Sequence, residues 1–160
     1  MRKKRIMMNE WILIANASVA RLFSRESDSG PLVPLHTFDH SESRLKASEL
    51  ADDRLGHGSA DRRPGGVSFE PHMNPRRKEH LHFAHALAQR LEEGLASSAY
   101  DRVTLYASSP FLGELKGQLS PATTKTLRAA VDVDLTSYGL RELEERIANK
   151  LQEIKTQQHS

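Results

Sequence analysis

The chain has 160 residues, 38% hydrophobic and 28% charged, a length and balance that suit one domain with a buried core and argue against a second. A formal net charge of +2 is only mildly basic, so total charge does not mark a nucleic-acid binder and any such reading rests on local clustering. The lack of cysteine excludes disulfides, thiolate metal sites and thiol catalysis, and fits a reducing cytoplasm.

The chain opens on the basic run Met1-Arg-Lys-Lys-Arg5 and three apolar residues, Ile6-Met-Met8. Asn9-Glu10 then interrupts, well short of the roughly 7–15 apolar residues of a secretory signal, and no stretch is long enough to span a bilayer. Residues 1–8 read as a disordered tail, with Met7 or Met8 an alternative start, ahead of one domain over residues 9–155.

Trp11-Ile-Leu-Ile-Ala15 is a continuous apolar run, as expected of a strand covered on both faces. Asn16-Ala-Ser18 supplies turn chemistry before Val19 to Phe23, which predicts a hairpin. A second turn at Ser27-Asp-Ser-Gly30 leads to a third strand, Leu32 to Phe38, whose Pro34 places it at a sheet edge or a bulge. His36 reads as a partly exposed residue of that strand.

Between residues 40 and 75 periodicity is lost, and Ser, Asp, Gly, Arg and His dominate. The stretch reads as a long, mobile basic loop with a short helix over Ser43 to Leu50; it carries Arg54, Arg62, Arg63, Gly65 and Gly66. Asn74 and Pro75 then read as the cap and first position of a long helix over residues 75–96. That places Arg76, Arg77 and Lys78 in the first turn, where the helix dipole already presents partial positive charge. Orphan N–H groups beside guanidinium groups make an anion site, since a phosphate relieves the repulsion and satisfies the donors. Leu81, Ala84, Ala88, Leu91 and Leu95 recur at helical spacing beside Leu87, one face for the sheet. His82 and His85 stand one turn apart, but His80 points elsewhere and no further ligand completes a metal set, so no metal site is assigned.

Val103-Thr-Leu-Tyr106 alternates as a strand and runs almost without a loop into Ser109-Pro110, read as the cap and first position of a helix to Leu119. Gly113 inside that helix suggests close backbone packing. Ser120-Pro121 repeats the start signal for a helix to about Ala130, followed by an edge strand in which Val131, Val133 and Leu135 alternate with Asp132 and Asp134. A last helix starts at Thr136 or Ser137 with Leu140, Leu143, Ile147, Leu151 and Ile154 on one face, and residues 156–160 read as a disordered tail.

Nucleophile elbow, phosphate loop and dinucleotide fingerprint are all missing, so no catalytic residue and no cofactor are assigned. Asp101, Asp132 and Asp134 would bind Mg²⁺ only if they converged. Three stretches carry a family likeness: Ala15-Asn-x-x-x-Ala-Arg-Leu-Phe23, Pro110-Phe-Leu-Gly-x-Leu115 and Asp134-Leu-Thr136, with Asp53-Arg54-Leu55-Gly56 as a fourth. With these, residues 11–151 resemble the bacterial host attachment protein family. A single serine before Pro110 stands where that family has a second proline.

That family in turn is similar to the middle domain of archaeal and eukaryotic class-1 translation release factors and their Pelota-like relatives. The resemblance implies a single α/β domain, a mixed five-stranded sheet flanked by helices. In release factors the loop before the long helix carries Gly-Gly-Gln and triggers peptidyl-tRNA hydrolysis; here it holds Gly65-Gly66-Val67, so the glutamine is absent and that activity is disfavoured.

Two functions follow from these readings. One is a cytoplasmic, non-enzymatic module that contacts structured RNA or the ribosome through Arg54, Arg62, Arg63, Gly65, Gly66, Arg76, Arg77 and Lys78. The other, implied by the family name, is an interaction protein for a host-cell surface component, without membrane insertion. Because residues 52–73 offer no apolar face, limited proteolysis should cut first at Arg54, Arg62 or Arg63 and leave two associated fragments. Mass spectrometry of the digest checks this, and first cuts elsewhere would refute it.

Overall fold

The structure is a computed structural model in which residues 8–40 and 75–158 are described. The predicted helix over Ser43 to Leu50, the basic loop residues and Asn74 lie outside them.

Five strands form one mixed sheet: β1 Glu10–Ala15, β2 Val19–Arg25, β3 Val33–Asp39, β4 Arg102–Ala107 and β5 Leu127–Asp132, in the order β3-β2-β1-β4-β5. β1, β2 and β3 form antiparallel hairpins, whereas β4 lies parallel to β1 and to β5. The helices are α1 Pro75–Ala96, α2 Phe111–Gln118, α3 Pro121–Lys125 and α4 Leu140–Gln158. A single α/β domain with a mixed five-stranded sheet and flanking helices is therefore the architecture.

β1 lies at the centre of the sheet, and all six of its residues are buried. Trp11, Leu13 and Ala15 join Phe83, Ala84, Leu87 and Leu91 of α1 and Phe111, Leu112 and Leu115 of α2 in one core. Ile12 and Ile14 face the other way, onto Leu143, Ile147 and Leu151 of α4, with Phe23 and Tyr106. Each such aliphatic side chain contributes about 1.5–3 kcal/mol, which is why an unbroken apolar run, rather than an alternating one, marks this strand.

Pro34 lies in the edge strand β3, next to a register shift between Leu22 and Phe23, so both expectations for that proline are met. Other readings are corrected. The helix after Ser120-Pro121 does not reach Ala130: it ends at Lys125, and the strand begins at Leu127 rather than Val131. Ser120 does cap it, accepting from the Thr123 N–H at 3.1 Å. The Thr126 N–H then bonds back to the Thr123 carbonyl while the Thr126 carbonyl accepts from Val103, which turns the chain onto β4. Ala129 and Ala130 have helix propensity, but pairing with Thr104 and Leu105 overrides it.

Ser109 is not the cap of α2. Its N–H and Oγ both donate to the Asp132 carboxylate, at 3.0 and 2.7 Å, and Pro110 occupies the cap position. The last helix starts at Leu140, not at Thr136 or Ser137, because Thr136 is held by Asp134.

Gly113 is exposed, and a Cβ there would meet nothing within 4 Å, so the close approach inferred for it does not exist. It exists at Gly94 of α1, where a Cβ would lie 2.4 and 2.5 Å from Trp11 ring atoms and 3.0 Å from the Tyr100 ring. Trp11 and Tyr100 pack with centroids 4.7 Å apart, and the Tyr100 hydroxyl donates to the Leu91 carbonyl at 2.7 Å.

The amino-terminal end of the parallel strands is closed by charge. Glu10, 2% exposed, accepts from Thr104 Oγ1 at 2.6 Å, from Arg25 Nε at 3.4 Å and from Arg128 Nη1 at 3.4 Å. Arg128 reaches it because Val103 faces Leu127 but Thr104 faces Ala129, which makes Arg128 the extra residue of a bulge in the edge strand. Asp28, in the turn after β2, is bound by Arg128 at 2.8 and 2.9 Å, by Arg102 at 3.0 Å and by Lys155 of α4 at 3.3 Å. The Arg128 hydrogen bonds hold the Asp28 carboxyl well below the usual carboxylate range.

Gly94→Ala should destabilise the fold by about 1–3 kcal/mol through overpacking, whereas Gly113→Ala should stabilise it by up to about 1 kcal/mol. Denaturant midpoints of the two variants check this, and equal shifts would contradict it.

Candidate functional site at the carboxyl ends of the parallel strands

In sheets with parallel strands, ligands bind beyond the carboxyl ends of those strands, where loops and helix N-termini gather. Here that end collects the turn after β1, the link from β4 to α2, the link from β5 to α4 and the start of α1. The contacts that place α1 run through His40: its N–H donates to the Ser18 carbonyl at 2.7 Å, its ring stacks on Phe83 at 4.5 Å, and its Nε2 lies 3.2 Å from Glu79 Oε1. Phe83 in turn stacks on Phe111 at 5.7 Å, which sets the third turn of α1 beside the first turn of α2.

Of the residues assigned from the sequence, Arg76, Arg77 and Lys78 lie in the first turn of α1 with their side chains exposed. That turn contains no acidic residue, so the helix dipole and the three side-chain charges have the same sign there. Arg54, Arg62, Arg63, Gly65 and Gly66 lie outside the described residues.

Asn16 organises the opposite side of this end. Its Oδ1 accepts from the N–H groups of Ser18 and Val19 at 2.8 and 2.9 Å, closing the hairpin turn. Its Nδ2 donates to Asp134 at 3.0 Å and to Thr136 Oγ1 at 3.1 Å. Asp134 also accepts from the Thr136 N–H at 2.9 Å and from the Thr136 hydroxyl at 2.6 Å. Arg21 of β2, whose guanidinium lies 5.3 Å from the Phe23 ring centroid, donates to the Thr136 and Tyr138 carbonyls. Asn16, Arg21, Ser109, Pro110, Asp134 and Thr136, which belong to stretches far apart in the chain, are thus assembled at one end of the sheet.

The chemistry of this assembly is that of a clasp. Hydrogen bonds from the Ser109 hydroxyl and N–H lower the Asp132 pKa. For Asp134, burial acts to raise the pKa, but the bonds from Thr136 and Asn16 outweigh it and the net shift is downward. Both carboxylates are therefore weak bases, and each already accepts hydrogen bonds from neighbouring groups. Asp101 sits at the other end of the sheet, accepting from the Asn9 N–H at 2.8 Å, so it does not converge with Asp132 and Asp134. Among the described residues no group of three or more His, Asp or Glu side chains could hold a metal ion. Asp132 ends β5 and Asp134 lies beyond it, so the two do not share one face of a strand.

Sequence reading identified Asn16 as a turn residue but missed its reach to Asp134, 118 positions on. The two capping-type bonds of the Asx turn were visible in the residue type; the cross-chain bonds had no local signal.

A folded carboxylate whose pKa is lowered contributes stability above its unfolded pKa, and that stability is lost as pH falls through the folded value. Asp134 is exposed and solvent screens its charge, so Asp134→Asn should cost no more than about 1 kcal/mol at pH 7, with the gap to wild type closing as pH drops below roughly 4. Urea melts across pH 2.5–7 measure this; a gap that does not narrow in acid would show that the charge is not what Thr136 and Asn16 recognise.

A family model described as "Protein required for attachment to host cells" matches residues 11–147. No curated protein matches the chain.

Proposed function

The chain belongs to this family of proteins required for attachment to host cells, and from that premise we propose that it is a non-enzymatic binding module whose contact surface is the cationic first turn of α1. One observation carries the reading: Pro75 opens the helix, Arg76, Arg77 and Lys78 follow with exposed side chains, and that turn contains no acidic residue. Such a turn favours a phosphate-bearing polymer, because helix N–H groups and guanidinium groups act on the same oxygens. RNA, free or on the ribosome, is the ligand of this proposal, with a cytoplasmic location and the likeness to the release-factor middle domain as parts of it. Peptidyl-tRNA hydrolysis is not, since Val67 stands where release factors carry glutamine.

The family description favours a second reading, in which the partner is a host-cell surface component. No helix among the described residues is long and apolar enough to cross a membrane, so in either reading the chain contributes a surface and no membrane-spanning helix among those residues.

Replacing Arg76, Arg77 and Lys78 together with Gln should flatten the salt dependence of RNA binding by roughly two to three log units per log of salt, because each neutralised phosphate releases counterion. Thermal stability should be unchanged or slightly higher, since the three cations oppose the helix dipole. RNA binding across a salt series, with melting in parallel, measures both. Equal slopes, or no binding at low salt, would end the RNA reading; binding of the purified protein to host cells would then decide for attachment.

A further inference from the structure

The charged cluster at the amino ends of the parallel strands is unbalanced. Three guanidinium groups, of Arg25, Arg102 and Arg128, surround two carboxylates, Glu10 and Asp28, which leaves one positive charge in excess. Its buried polar atoms without a hydrogen-bond partner each carry a hydrogen to donate: Arg25 Nη2, Arg102 Nε and the Tyr106 hydroxyl, which can also accept. Arg25 is 4% exposed and Tyr106 is fully buried, so bulk water does not satisfy them. Arg25 Nη2 lies 4.0 Å from Asp28 Oδ1, too far for a hydrogen bond. Burial pushes the Tyr106 hydroxyl up to about 12, so it remains a donor at neutral pH.

A buried donor without an acceptor costs about 1–3 kcal/mol, and an unpaired buried charge costs more. An excess of both, at one place, is what a bound anion would relieve. We propose that this cluster is a binding site for a small tetrahedral oxyanion of the phosphate class, held by Arg25, Arg102 and Tyr106 between the sheet and the carboxyl end of α4. The ligand reaches it from the rim, where Arg102 is 28% and Lys155 48% exposed. Glu10 and Asp28 set the positions of the arginines, since both carboxylates bind Arg128 and Arg102. The site lies at the opposite end of the sheet from the first turn of α1 and does not depend on the RNA reading.

The test uses the full chain and inorganic phosphate, titrated by calorimetry at constant ionic strength with chloride as the balancing anion. Wild type should bind saturably, and Tyr106→Phe, which removes only an unpartnered hydroxyl and should fold normally, should weaken binding by about tenfold. Arg25→Gln should abolish it; if that variant does not fold, Tyr106→Phe still decides. The Arg76, Arg77 and Lys78 triple Gln variant should lose whatever phosphate the first turn of α1 holds and keep the saturable site that Tyr106→Phe weakens. Absence of saturable binding, equal affinity in Tyr106→Phe, or loss of that site in the triple variant would each overturn the proposal. So would a crystal grown in phosphate that shows only ordered water on Arg25 and Tyr106.

Discussion

Everything in this fold depends on β1 being buried on both faces. A strand at the centre of a five-stranded sheet, between a layer of α1 and α2 and a layer of α4, has no polar face to present, and residues 11–15 present none. Its first residue is the exception. Glu10 is as deeply buried as its neighbours, and a carboxylate there is tolerable only with charged partners and full hydrogen bonding. Arg25 comes from the neighbouring strand, Thr104 from the parallel strand opposite, and Arg128 from two strands away through a bulge. Irregularity in β5 is thus a consequence of one charge in β1.

The layered architecture was legible because it is written in short-range periodicity. The apolar run of β1, the Pro-led start of α1 and the Ser120-Pro121 cap each depend on residues within a few positions of one another. Misreadings arose where a distant partner captured a group that local rules had assigned elsewhere. Ser109 has the right chemistry for a cap, yet Asp132, 23 residues on, takes both its donors. Ala129 and Ala130 look helical until β4 supplies a ladder for them. A glycine gives no local sign of what faces it, so Gly113 was credited with the close packing that belongs to Gly94 and Trp11.

The candidate site divides in the same way. Arg76, Arg77 and Lys78 were visible as a charge cluster at a helix start, because both features are local. The clasp of Asn16, Asp134 and Thr136 was visible only as separate stretches of family likeness. What unites them is strand direction: β1, β4 and β5 are parallel, so the segments that leave their carboxyl ends must meet. The family match over residues 11–147 spans all three stretches, and the structure gives them one address. At that address the carboxylates hold connections in place by accepting hydrogen bonds from Ser109, Asn16 and Thr136.

The two bulges have a bearing on how the protein behaves in a crowded solution. β3 and β5 are the outer strands, and a flat outer strand invites another chain to pair with it. Each is interrupted: β3 by the register shift beside Pro34, which also lacks an N–H to offer, and β5 by the shift at Arg128, which turns a charge inward. Val33 and Leu35 are exposed on the first of these strands, so apolar stickiness is present there without a straight ladder to propagate it. Irregularities that serve the interior of this sheet therefore also act as guards against runaway self-association along its rims.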